Sequence, residues 1–304
     1  MLTLTRAELT KLFQRRGTYV SYGVMLALVL SIAIPIFCYR ESVDRSIREE
    51  SAHASGVPAG LEQALAGPFI PRLMMFLPLR VMVVNTLIGF FAALVGGGML
   101  AGEYGSGTLR LLLTRPPARW QVVVSKTVVA SFQAATVPVF FGLCAFAAGY
   151  AFFGRGPLLF LDAGSDMGSD AMMAPYFAEG VAVQRLCLAY GLMALGAAAI
   201  AAMGIFISSL TSHALTAAGL TFGVTLVSGV LGALGHAPEE LTFLAFFRTI
   251  HPYLITTHIN VYDAPLFTNV EWARMGTSVA WLLGYSVLFI IGAILVFSRR
   301  DIRC

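Results

Sequence analysis

The chain has 304 residues, of which 58% are hydrophobic and only 12% charged, with a mean hydropathy of +0.79. So few polar side chains cannot cover a globule in water, which excludes a soluble enzyme or a nucleic-acid-binding fold and assigns most of the chain to lipid. The formal net charge of +4, from 20 Lys and Arg against 16 Asp and Glu, is informative through where those charges fall.

Residues 1–17 predict a helix lying on the membrane face. Thr5-Arg-Ala-Glu8 fits the capping box, in which Thr caps a free backbone N–H and Glu reaches back. Leu9, Leu12 and Phe13 then share one face, and Thr10, Lys11, Gln14 and Arg15 the other, as in an interfacial amphipathic helix.

Crossing the hydrocarbon core takes roughly 20 apolar residues. Apolar runs of that length fall at 18–39, 80–102, 122–152, 184–210, 214–234 and 273–297. The first follows Arg6, Lys11, Arg15 and Arg16 like a secretory leader. It is longer than a leader's apolar segment and no small-x-small cleavage site follows it, so it reads as an uncleaved first span. Six spans place both termini on one side. With the termini inside, the inner segments hold eleven bases and three acids, leaving nine bases and thirteen acids outside. The excess of inner bases predicts both termini in the cytoplasm, with basic residues against anionic headgroups and no role for nucleic acid.

The outer loops are expected at 40–79, 153–183 and 235–272. The second carries Asp162, Asp166 and Asp170 without the EF-hand spacing, and reads as a solvated acidic loop. Spans four and five are joined only by Thr211-Ser-His213, a tight hairpin. The apolar run Leu241–Phe247 in the last outer loop is too short to cross and predicts a re-entrant or surface helix buried against protein. Cys38, Cys144, Cys187 and Cys304 are isolated, and those in or near spans are expected to be small buried thiols. The fold class is therefore all-α, a polytopic membrane protein forming a single domain over 1–304.

The segment 103–119, between spans two and three and facing the cytoplasm, carries the most information. Gly105 and Gly107 are expected to break the preceding span, Ser106 to cap a new helix, and Leu109, Leu112 and Leu113 to give that helix an apolar side. Pro116 and Pro117 stop it. The product is a helix of about two turns held at the membrane surface, able to move as a rigid handle on the spans it joins.

This segment resembles the loop of the type-2 permeases of ATP-binding-cassette (ABC) transporters, which reads approximately E-x-x-x-G-T-L-R, a leucine-rich turn, P-x-x-R and a Lys. Glu103, Gly107, Thr108, Arg110, Pro116, Arg119 and Lys126 fall on those positions. The inner-surface helix, six spans, short hairpin and re-entrant region also suit that family's type V exporter fold. The outer loop after span one is longer than in its smallest members.

The resemblance implies that 103–119 is a coupling helix docking on a separate ATPase subunit. Leu109, Leu112 and Leu113 would then give apolar docking and Arg110, Arg115 and Arg119 a polar rim. Glu103 would tether the loop, either to a base on the N-terminal helix or to the ATPase. It further implies two permeases, identical or different, with two ATPases that bind ATP and magnesium. An amphipathic or apolar substrate would be exported from a bacterial cytoplasmic membrane.

This chain has no G-x-x-x-x-G-K-[ST], so no nucleotide site of its own is expected, and it is read as a transport subunit rather than an enzyme. Gly96-Gly-Gly98-Met-Leu-Ala101 matches a degenerate dinucleotide fingerprint but lies within a span, where close helix packing is expected. Gly98-x-x-x-Gly102 and Gly219-x-x-x-Gly223 could let helices approach. Asn85 and Gln133 are the candidate polar cavity residues.

Two alternatives come from other classes. An ion-coupled carrier would need ionisable groups near the midplane, and the central portions of the spans hold almost none. A membrane-embedded hydrolase would draw on Ser278 of Gly276-Thr-Ser278, with His251 or His258 as base. His236, His251, His258 and Asp263 lack the close paired spacing of metal ligands, so no metal is expected.

Overall fold

A computed structural model describes residues 2–14, 16–39, 82–107, 118–153, 158–159, 176–177, 179–235, 245–266 and 270–299. The described residues are almost entirely helical. Two short strands, β1 (Leu158–Leu159) and β2 (Tyr176–Phe177), form an antiparallel pair between the third and fourth spans, with Leu158 opposite Phe177. Six of the helices are long and apolar enough to cross a membrane.

The N-terminal helix α1 (Leu2–Gln14) lies ahead of the first span, α2 (Arg16–Cys38). The second and third spans are α3 (Met82–Gly105) and α4 (Arg119–Phe153). The fourth and fifth are α5 (Glu179–Leu210) and α6 (Ala214–Gly235), joined by the expected three-residue hairpin. The connection to the last span contains α7 (Ala245–Ile250), a 3-10 turn His251–Tyr253, α8 (Ile255–Ile259) and a 3-10 segment Asn260–Leu266. The sixth span is α9 (Trp272–Arg299). At 1.5 Å per residue, the 35 residues of α4 extend about 52 Å against a hydrocarbon core of about 30 Å, so the helix projects beyond the lipid.

α5 is the centre of the bundle and packs against α3, α4, α6 and α9. Small residues make this possible. A Cβ added at Gly97 would lie 2.5 Å from the Ala218 nitrogen on α6, and one at Gly204 of α5 would lie 2.9 Å from the Gly97 nitrogen. The Ser208 hydroxyl seals the same contact, accepting from the Ala101 amide (2.7 Å) and donating to the Gly97 carbonyl (2.7 Å). The expected close packing thus falls at Gly96, Gly97 and Gly204. Of the two small-residue motifs, Gly98, Gly219 and Gly223 face open space, and only Gly102 meets a neighbour, Ala214, at 3.7 Å. α2 stands at the edge of the bundle on α4, through Tyr22 Oη and Thr136 Oγ1 (2.7 Å) and an edge-to-face contact with Phe140.

Residues 251–266 enter the bundle rather than lying across its end. Ser228, seven residues before the end of α6, bonds Thr256 of α8 (2.8 Å), so the segment reaches about 10 Å below the helix terminus. Arg185 of α5 donates to the Pro265 carbonyl (3.4 Å), and Asn85 of α3 bonds the Tyr262 hydroxyl. The described part of the predicted apolar run, Ala245–Phe247, opens α7.

Two local expectations are corrected and one holds. α1 starts at Leu2, so Thr5 lies inside it, and the Glu8 carboxylate turns to two lysines on its inner side instead of back to the helix start. α3 ends at Gly105, and Gly107 follows in the left-handed conformation, so the two glycines break the span as expected. Cys38 and Cys187 lie exposed on the outside of their helices, because each falls on a face with no helical neighbour.

A buried charge clasp at the two ends of the loop between the second and third spans

Glu8 and Leu12, one helical turn apart, form the inward face of α1 and are both buried, while Phe13 stays 47% exposed. Glu103 sits in the last turns of α3. Lys126 lies about two turns into α4 and its residue is fully buried. The Lys126 ammonium stands 3.0 Å from Glu8 Oε2 and 2.9 Å from Glu103 Oε1. Lys11 closes the group from the rim, 3.3 Å from Glu8 Oε1 and 3.4 Å from Glu103 Oε1. Two acids and two bases balance, which is what makes their removal from water tolerable. The cluster fastens α1, α3 and α4 at one point.

Burial pushes the Glu8 carboxyl up, and the ammonium groups of Lys126 and Lys11 more than offset this, leaving it below its ordinary value. Burial pushes Lys11 down, and the carboxylates of Glu103 and Glu8 outweigh it, holding the ammonium above its ordinary value. A carboxylate at a helix C-terminus opposes the helix dipole, so Glu103 depends on these cations to sit where it does.

The loop leaves this clasp through a glycine turn. Gly107 adopts φ +70°, the left-handed conformation that ends helices. Its amide donates to the Tyr104 carbonyl (3.1 Å), and the Ser106 hydroxyl donates back to the Glu103 carbonyl (3.3 Å). Ser106 therefore closes α3 where a cap for a following helix was expected. On the far side, Arg119 opens α4 and donates to the Ser298 carbonyl at the end of α9 (3.1 Å), a favourable place for a cation. The hairpin after α5 lies alongside, since a Cβ on Gly105 would meet the Ser212 carbonyl at 3.1 Å. Thr108, Leu109, Arg110, Leu112, Leu113, Arg115 and Pro116 lie outside the described residues, as does the short helix expected there.

Of the expected site residues, Glu103, Gly107 and Arg119 are thus described at the two ends of the loop. Lys126, placed from sequence at the Lys position of the family-like loop, is the centre of the cluster. The signal for it was its isolation, a lone Lys in a long apolar helix that must find carboxylates.

Asn85 lies on α3 and Gln133 on α4. Asn85 holds the re-entrant segment through Tyr262, and Gln133 is buried in α4 with neither amide atom hydrogen-bonded. Ser278 and His258 do meet, Oγ to Nδ1 at 3.3 Å, and His258 Nε2 lies 3.0 Å from the Pro252 carbonyl. Both are buried and the imidazole stacks on Trp281. The contact joins α8 to α9. Burial lowers the His258 pKa, opposed by the bond to Pro252. Among the described residues, no three His, Cys, Asp or Glu gather as metal ligands.

Comparison with known proteins adds two likenesses. The family described as ABC-2 family transporter protein matches residues 21–302. A Bacillus subtilis (strain 168) protein whose name reads "Uncharacterized protein YhcI" is 21% identical over 221 residues, 71% of this chain and 65% of its own length. The matched region thus spans just under two thirds of that relative.

Proposed function

Because the chain belongs to the ABC-2 family of transporter proteins, we propose that it is the permease of an ATP-driven exporter whose motor subunits act on residues 103–119. The family makes it a multi-pass membrane transport subunit that works with an ABC ATPase. Beyond that, the functional unit is two permeases, identical or different, with two ATPases that bind ATP and magnesium. The termini and the inner loop face the cytoplasm of a bacterial cell, and the cargo is amphipathic or apolar.

The observation that carries this reading is the clasp. α3 leads into the loop and α4 leads out, and both are fixed to α1 through Lys126. A force on the loop therefore reaches three elements together instead of bending one helix end. Buried charge pairs are poor stabilisers but good locks on a unique arrangement. Leu109, Leu112 and Leu113 would enter a groove of the ATPase, with Arg110 and Arg115 at its edge, and Arg119 would tie the moving loop to α9.

The test is reconstitution with the co-purifying ATPase. Arg110→Glu, which changes none of Glu8, Lys11, Glu103 and Lys126, is expected to abolish stimulation of ATP hydrolysis and transport while the Tm of the permease holds. Reversing Glu103 and Arg110 together should uncouple hydrolysis from transport, and transport that continues unchanged refutes the assignment.

A further inference from the structure

Gln133 is 1% exposed, and neither its amide oxygen nor its amide nitrogen has a hydrogen bond. Two unmade bonds inside a membrane span cost free energy that a leucine of similar size would not. Five residues on, Pro138 lies inside the same helix, α4. It brings no N–H, so the Ala134 carbonyl loses its rung, and its ring presses on that same carbonyl. Between the two, the Thr136 hydroxyl turns back to donate to the Gln133 carbonyl (2.7 Å), a bond that loosens a helix further. Residues 133–138 are therefore the soft point of α4, and the end of α4 nearer the loop is held by the clasp.

The direction in which α4 can bend follows from its faces. Ser131, Pro138 and Gly142 share the face that meets α5, where Ser131 donates to the Ala198 carbonyl (3.3 Å) and a Cβ on Gly142 would strike the Tyr190 ring at 2.8 Å. Thr136 and Phe140 lie about 160° from Pro138 around the helix, and both meet Tyr22 of α2. A proline opens a helix on its own side, so α4 bends away from α5 and toward α2, with Tyr22 and Thr136 as the fulcrum. Gln133 lies on the closing side, about one turn nearer the clasp than that fulcrum. There α2 presents Ser21, the first of its buried stripe Ser21, Met25, Val29 and Ala33. The Ser21 hydroxyl donates to the Thr18 carbonyl (2.8 Å), so its oxygen can still accept.

We propose that α4 is a two-position hinge: driven through the clasp, it bends at residues 133–138 toward α2, and the Gln133 amide nitrogen donates to Ser21 Oγ in the bent form alone. The helix described above is the form with that bond unmade, and the unmet amide tilts the balance toward bending. The consequence for transport rests on the proposed role of residues 103–119, whereas the hinge itself is a property of the permease alone.

Hydrogen exchange of residues 134–142 is measured, together with Tm, on the full chain in phosphatidylethanolamine and phosphatidylglycerol vesicles without ATPase. Gln133→Leu removes both the unmet amide and its bond in the bent form, and should raise Tm and slow exchange about fivefold. Ser21→Ala should slow exchange as much at unchanged Tm, and should add nothing in the Gln133→Leu background. Pro138→Ala restores the rung to Ala134 and should slow exchange as well. With the co-purifying ATPase present, all three variants should lower the rate of transport. A parent chain that transports nothing with that ATPase defeats the transport reading, and exchange in the permease alone still decides the hinge. Faster exchange or a lower Tm in Gln133→Leu would mean an amide already bonded in the straight form and overturns the proposal. So does exchange unchanged in the three variants, Ser21→Ala acting undiminished without Gln133, or variants that transport as fast as an active parent.

Discussion

Replacing Lys126 by Met removes the ammonium that two buried carboxylates share while keeping the length and apolar stem of the side chain. At the observed contacts of 3.0 and 2.9 Å, each pair is worth about 5 kcal/mol of gross attraction at an effective dielectric constant of 20. Most of that is cancelled by the desolvation that all partners share, so the net consequence is set by what remains buried. Glu8 and Glu103 touch the same nitrogen, so their carboxylates are no more than about 6 Å apart and repel once it is gone. Lys11, with its side chain 48% exposed, answers them only from the rim. Removing one member of a buried pair costs about 3–5 kcal/mol, enough to release α1 from α3 and α4. Hydrogen exchange of residues 2–14 in the full chain, together with Tm, reads the effect. Exchange in α1 should rise by orders of magnitude, and Lys126→Met with Glu103→Gln should recover part of the loss. A Tm within about 0.5 kcal/mol equivalent of the parent, with α1 still protected, would refute the reasoning.

The clasp should be indifferent to pH across the neutral range. The stability from the lowered Glu8 pKa is present above its ordinary 4.5 and is lost as pH falls through the depressed value, whereas that from the raised Lys11 pKa is present below 10.5 and lost above. α1 protection followed from pH 5 to pH 10 should stay flat. His258 behaves oppositely to Lys11. Its lowered pKa stabilises the fold above the ordinary 6.5 and is lost as pH falls through the depressed value, so exchange at residues 255–266 should rise on acidification while α1 is unaffected. Gly97→Ala drives a methyl into the α6 backbone and should lower stability by about 1–3 kcal/mol, read as Tm, whereas Gly98→Ala, with open space beside it, should be near neutral. Tyr262→Phe should loosen residues 260–266 by about 1 kcal/mol in local exchange, leaving the six spans intact.

The six spans and the hairpin after α5 were legible because lipid imposes length and polarity on a chain residue by residue. Twenty apolar residues have few other places to go, and a three-residue link can only join neighbours. The residues of the inner loop could be listed for the same reason, since Gly, Pro and basic residues punctuate an otherwise apolar text. Local rules failed where a distant partner outbid a near one. Thr5 to Glu8 reads as a capping box, yet Glu8 gains more from Lys126, 118 residues away, than from its own helix start.

What the sequence determined by itself is therefore the number and order of the spans, fixed by each segment's exchange with lipid or water. Which glycines bear the close contacts, where Lys126 finds its carboxylates, and how deep residues 251–266 enter were decided only in three dimensions. These depend on the rotation of each helix about its own axis, and a side chain's transfer free energy is the same whichever way its helix is turned.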